Sequence, residues 1–332
     1  MKKKKKIPDV LLAKKAFLVY LQEGSSLRSW SPATVKCYEG VIRMLDRFNP
    51  SLPLDRMGCR TLEEIYLHLS GRHLANRSIA WYMIALKSFL AWAEKKGYPV
   101  DASFRDFSPR IRTAPKTVVF LNREELMELY GHDREGWPAR WHVVADWFLL
   151  ACFTGLRVSD IASLRWSDVR DGALVVVTHK TAAPVRIELN RFSSKILSRL
   201  RENGNEGGYI MPRVDLRNMN KTLKQICRAM GFDTPITGYC YREGGKRVET
   251  VRPKWQEMSM HCGRRTFICN ALALGISPTV VMQWTGHRNY SSLKPISPSV
   301  IRNGHGRWQN STPWDNLLQR KRPSLHLYLV EV

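Results

Sequence analysis

Apolar residues recur at helical spacing through the first third of the chain. Val35, Tyr38, Ile42 and Leu45 follow Ser31-Pro32, a cap with proline at the first helical position. Ile79, Met83, Leu86 and Leu90 form a second stripe that ends at Lys96-Gly97, with Asn76 or Ser78 as its candidate cap. Trp81, Tyr82 and Lys87 occupy the other faces of that helix, and plain packing explains such a stripe. Periodicity then fails across residues 106–118, DFSPRIRTAPKTV, where prolines and basic residues read as a linker. Beyond it Asn122 can cap a helix opening with Glu124 and Glu125, whose charges suit a helix start. An apolar helix runs from Trp141 to Phe153 and stops at Thr154-Gly155. Leu174–Thr178 and Val185–Leu189 read as two strands joined by the turn H-K-T-A-A-P, and helical patterns resume from about Ser193. Helix, hairpin, then helices is an α-rich α+β order, not an alternating βαβ one. The expected segments are a basic tail at 1–9, a helical domain at 10–112, a linker at 113–118, a second domain at 119–295, and a divergent tail at 296–332.

Charge narrows the partner. Of 332 residues, 53 are Lys or Arg and 29 are Asp or Glu, a net +24. The excess is +12 in residues 1–118, +9 in 119–295 and +3 in 296–332, so it runs through folded sequence. That spread favours a polyanion: nucleic acid first, a membrane surface second, with a basic protein lacking either as the bland alternative. The seven cysteines form no CxxC pair, and several sit in apolar stretches. They read as reduced core thiols of a cytoplasmic protein. No apolar run is long enough to span a bilayer, since the longest, Val143 to Phe153, contains Asp146. Lys2–Lys6 resembles the start of a signal peptide, but Asp9, Lys14 and Lys15 interrupt the stretch that would be its apolar region.

Four basic groups in residues 150–290 carry the candidate chemistry. Arg157 stands in Thr154-Gly155-Leu156-Arg157-Val158-Ser159-Asp160, a helix–helix corner where Asp160 can cap the next helix. Lys180 sits in the hairpin turn. His261 and Arg264 share a helical face at spacing i, i+3, and His287 follows Gly286 after the apolar helix Thr279–Trp284. Each alone has an ordinary reading as a helix end, a solvated lysine or a chance pair. Together, two arginines, a lysine and two histidines can surround one phosphodiester, with arginine forks on its non-bridging oxygens. No metal-ligand or cofactor motif accompanies them.

In this order the motifs T-G-L-R-x-S-D, a hairpin lysine, H-x-x-R-R-T-F, a leucine-glycine helix and T-G-H resemble the tyrosine-type site-specific recombinases, in particular phage and transposon integrases. The resemblance covers about 119–295, and more loosely 10–112, where S-P-A-T-V-x-x-Y at 31–38 resembles the helical core-binding domain. It implies a clamp on duplex DNA and strand exchange through a 3′-phosphotyrosyl intermediate for a mobile element. It also implies tetramers on paired sites, and no need of metal or ATP. By position, Arg157 and Arg264 would hold the scissile phosphate and stabilise its transition-state charge. Lys180 would be general acid for the 5′-hydroxyl, His261 general base, and His287 a phosphate donor.

The pattern breaks at the nucleophile. Where the family places tyrosine, nine residues past His287, this chain has Ile296. Tyr290 lies three residues past His287 and Tyr328 forty-one past. An isoleucine has no nucleophilic atom. Inserting one T before codon 296 turns its ATN into TAT, tyrosine, and permits K-P-Y-I-A-I and M-A-K-F-like runs downstream that resemble an integrase ending. Two explanations follow, a one-nucleotide deletion or divergence to a non-catalytic DNA-binding protein that occupies recombination sites. An RNA-binding alternative predicts an RNP-type strand, which the sequence lacks.

Overall fold

The computed structural model describes residues 11–180, 182–202, 208–212, 214–290 and 293. The first helices are α1 (Ala13–Leu27), α2 (Pro32–Phe48), α3 (Cys59–Gly71) and α4 (Asn76–Lys95). After them come α5 (Arg123–Gly131), α6 (Ala139–Thr154) and α7 (Val158–Ser163). Strands β1 (Val169–Arg170), β2 (Ala173–Val177) and β3 (Pro184–Glu188) follow, then α8 (Arg191–Glu202) and α9 (Leu216–Ala229). A second hairpin, β4 (Pro235–Arg242) and β5 (Lys246–Pro253), precedes α10 (Lys254–Glu257), α11 (Met260–Ala273) and α12 (Pro278–Thr285). This is the α-rich α+β class read from the sequence, with small antiparallel sheets. No helix among the described residues is long and apolar enough to cross a membrane.

Contacts divide the chain into two units. The first is Met1–Pro115 with Gly238–Thr250, and the second is Lys116–Thr237 with Val251–Val332. In the first unit Ser31 caps α2, its hydroxyl accepting from Thr34 N at 3.2 Å. Neither Asn76 nor Ser78 caps α4, because the N-cap is Ala75. Asn76 is instead buried as the first helical residue, and its amide donates to the Arg112 carbonyl at 3.0 Å. The predicted stripe Ile79, Met83, Leu86 and Leu90 is buried, and the rings of Phe17 and Phe89 meet at 4.6 Å in the core. Here aromatic area supplies much of the apolar burial.

The second unit is organised around α6, whose residues Val144–Thr154 are all buried. A helix apolar on every side must be enclosed, and α8, α9 and α11 pack against it. The polar interruption, Asp146, is neutralised by Arg134 at 2.7 Å and by Arg199. Gly263 lets α11 seat closely on α6: a Cβ there would stand 2.8 Å from Ala151 Cβ and 3.1 Å from the Phe148 carbonyl oxygen. Strands β1, β2 and β3 pair antiparallel in that order, with Leu174 opposite Ile187. Both strands of the predicted hairpin begin one residue earlier than the sequence reading placed them. Thr178 lies outside β2 because it closes the turn, its N–H donating to Ala183 O at 3.0 Å. The β4–β5 hairpin falls in a region the sequence reading treated as helical.

Candidate active site

Three corners of the second unit bring cationic side chains together. The first is the end of α6. Gly155 takes φ +72°, and a side chain there would also strike Phe267, with Cδ1 at 2.6 Å. The reversed chain starts α7 at once, with Arg157 as N-cap. Asp160 is therefore not a cap, as the sequence reading had it, but an interior residue of α7. Its buried carboxylate accepts from the His179 N–H at 2.9 Å through Oδ1. The His179 ring in turn lies 2.7 Å from Ser163 Oγ. These two bonds tether the β2–β3 turn, and hence Lys180, to α7. Lys180 itself is exposed.

The second corner is α11. Arg264 is 2 % exposed, and its guanidinium donates to Gly155 O at 2.8 Å and to Thr285 O at 2.5 Å. One arginine thus ties the ends of α6 and α12 together. Burial, then the like charge of Arg157, pushes its pKa down to about 9, which leaves it charged at neutral pH. No carboxylate forms an ion pair with it among the described residues. Arg157 Nη1 stands 3.8 Å from Asp160 Oδ2, and both atoms are buried without a hydrogen bond. Buried donors left unbonded are costly unless something meets them.

The third corner is Gly286-His287 after α12. Thr285 Oγ1 lies 2.5 Å from Val281 O and 2.7 Å from His287 Nδ1. A carbonyl only accepts, so the single hydroxyl proton goes to Val281, and Nδ1 must carry a proton to donate to Thr285. That leaves Nε2 as an acceptor facing Arg264 Nη2 at 3.2 Å. Desolvation, then the charges of Arg264, Arg157 and His261, lowers His287 to about 4. His261 is likewise lowered to about 4, by burial and then by Arg265, Arg264, Arg157 and Lys116. Its side chain is exposed, so solvent tempers both the burial contribution and the pull of the neighbouring cations.

The structure therefore brings Arg157, His261, Arg264 and His287 into one electrostatic group. It places Lys180 on a turn anchored to the same corner. Tyr290 is 51 % exposed, while Ile296 and Tyr328 lie outside the described residues. The sequence reading passed over Asp160 and Thr285 as site residues, although Asp160 stands three residues past Arg157. It also passed over His179 and Ser163, for which no signal existed. The site can bind an anion: its cations outnumber its acids, and its free donors point to a ligand rich in oxygen.

Comparison with known proteins gives the family and supports the fold. The Phage integrase family pattern matches residues 120–295, and the Phage integrase SAM-like domain pattern matches residues 15–108. The chain belongs to the phage integrase family, whose members are tyrosine recombinases. Among solved structures it is similar to lambda integrase in a dimer bound to a COC′ core site, at TM-score 0.64 and 18% identity, covering 91% of this chain and 99% of that one. It is also similar to the Tn1549 transposon integrase in complex with circular intermediate DNA, at TM-score 0.65 and 15% identity, covering 87% and 98%. A lambda integrase tetramer bound to a Holliday junction matches at TM-score 0.63 and 18% identity, covering 90% and 79%. At these identities the likeness is one of fold. A search of the curated proteins returned no match.

Proposed function

We propose that this chain is a site-specific recombinase of a mobile element that binds duplex DNA and has lost strand cleavage through replacement of its nucleophile. The observation that carries the binding half is the pair of Arg264, which is buried, and Arg157, whose Nη1 atom is buried and unbonded, with the one carboxylate of Asp160 beside Arg157. A phosphodiester supplies the oxygens those donors lack. In this reading Arg157 and Arg264 grip the non-bridging oxygens. Lys180 approaches on its tethered turn as general acid, His261 serves as base, and His287 turns from acceptor to donor once it is protonated beside the phosphate. No protein cofactor enters these steps.

The observation that carries the second half is Ile296. With no oxygen in line with the leaving group, the pocket can bind and polarise a phosphate but cannot form the covalent intermediate. The chain then acts as an occupant of recombination sites. Through the tetramers in which its structural relative meets a Holliday junction, it would poison assemblies of an intact partner.

The test is a titration of duplex DNA across salt concentrations. A cleft that neutralises several phosphates loses about a thousandfold or more in affinity between about 50 and about 200 mM salt. An affinity that stays flat over that range contradicts the reading.

A further inference from the structure

A second cationic cavity lies away from the site just described, where the start of α6 meets α9. It measures about 330 Å3, at the small end of ligand sites. Arg140, Trp141, Asn218, Lys221, Thr222 and Gln225 line it, and none of the lining side chains is acidic. Asn218 also donates to Asp215 at 3.3 Å, so a carboxylate adjoins the cavity without lining it.

Two independent features make this a built site. The first is the N-terminus of α6, a helix of 16 residues whose N-cap, Pro138, offers no side-chain acceptor to the first-turn N–H groups. The Trp141 N–H is taken by the Pro138 carbonyl at 2.7 Å, and the end offers an anion its partial positive charge and its remaining first-turn N–H groups. The second is Thr222. It is 4 % exposed, yet it lines the cavity, and its hydroxyl has no hydrogen-bond partner among the described residues. That hydroxyl is not among the described atoms sealed from solvent without a partner, so it opens to the cavity, where a ligand oxygen can replace water on it. Arg140 and Lys221, from the two helices, add the charge.

We infer that the cavity between the α6 N-terminus and α9 is a phosphate-binding site, formed by Arg140, Lys221 and the Thr222 hydroxyl. The phosphate group can come from a free phosphate compound or from the backbone of a nucleic acid. The inference does not rest on the recombinase reading, since either source fills the same donors.

The experiment uses the full chain and three substitutions, Thr222→Val, Thr222→Ser and Lys221→Gln. One arm titrates inorganic phosphate by calorimetry, with chloride at equal ionic strength as the blank. The other titrates a short DNA duplex at several salt concentrations. A free-phosphate site gives saturable phosphate binding that weakens about tenfold in Thr222→Val, the weight of one hydrogen bond to a charged partner. Thr222→Ser, which keeps the hydroxyl, restores it. A backbone site gives no saturation with free phosphate. Instead Thr222→Val weakens DNA binding with the same rescue by serine, and Lys221→Gln lowers the salt slope by about one. The inference is overturned if Thr222→Val raises thermal stability and alters neither titration, because the hydroxyl is then only an unpaired group. It is equally overturned if all three variants bind both probes as the parent does. Failure of DNA binding altogether, with phosphate binding intact, sinks the recombinase reading and leaves this one standing.

Discussion

Arg264 holds the fold, and in the proposed reading it also meets the phosphate. Its guanidinium satisfies two main-chain carbonyls, those of Gly155 and Thr285. Arg264→Ala bares both and opens a void, so we expect a loss of about 2–4 kcal/mol in denaturant unfolding. Loss of DNA binding in that variant would therefore prove little. Arg157 is the cleaner probe, because its Nη1 has no partner to lose. Arg157→Lys keeps the charge beside Asp160 but removes the fork, and should weaken DNA binding several-fold with little change in melting temperature. The histidines give a prediction with a definite sign. Both sit near pKa 4 in the fold, against about 6.5 in an unfolded chain. Above about pH 6.5 they are neutral in both states and contribute no slope. As pH falls from about 6.5 toward 4 the unfolded chain gains protons that the fold refuses, so stability declines over that window. His287→Gln should flatten the decline. A bound phosphate reverses the local field and raises both pKa values, so DNA binding near pH 5.5 should take up protons. Calorimetry in buffers of different ionisation enthalpy measures this, and zero uptake counts against the assigned pocket. The five candidate cationic positions could be named in the sequence from the order and spacing of their motifs. The proton on His287 Nδ1 was not, since it follows from which oxygen the Thr285 hydroxyl faces.

Among elements, the junction of α6 and α11 decides the site. It brings the Arg264 helix against the helix that ends at Gly155. Gly263→Ala would place a methyl 2.8 Å from Ala151 Cβ, and such overpacking costs about 1–3 kcal/mol. We expect a lower unfolding midpoint and weaker DNA binding together, as α11 moves off α6. Gly71→Ala is the control: nothing lies within 4 Å of the added carbon, so stability should hold or rise slightly. A Gly263→Ala protein as stable as the parent would show that the seating is not tight. Helices α2 and α4 were legible because their apolar residues keep a helical period, and the first hairpin because two short apolar, β-branched runs flank a turn. The β4–β5 hairpin was missed because neither strand has a buried residue. Thr237, Tyr239, Val248 and Thr250 alternate without an apolar face, and only the Glu243-Gly244-Gly245 turn between β-branched runs signals it. The cap of α4 failed for another reason: Asn76 has the right side chain, but the Arg112 carbonyl claims it.

At the scale of the molecule, charge, family and fold agree, while position 296, where the family resemblance expects the nucleophile, holds isoleucine. A net +24 spread over both units suits a protein that neutralises many phosphates, and two family patterns cover residues 15–108 and 120–295. The second pattern ends one residue before Ile296. In the proposed reading, a complete cationic pocket followed by isoleucine at 296 is what a one-nucleotide deletion leaves, since it alters everything downstream and nothing upstream. It is equally what a binding-only descendant keeps. Both make the same forecast for this chain. The most direct measurement is a nicked suicide substrate carrying the chain's own target site, resolved on a denaturing gel. We predict no covalent protein–DNA adduct from the chain as it stands, and an adduct once the tyrosine and the reading frame beyond Pro295 are restored. A covalent adduct from the unaltered chain, abolished by Tyr328→Phe or Tyr290→Phe, would contradict the account and name the true nucleophile.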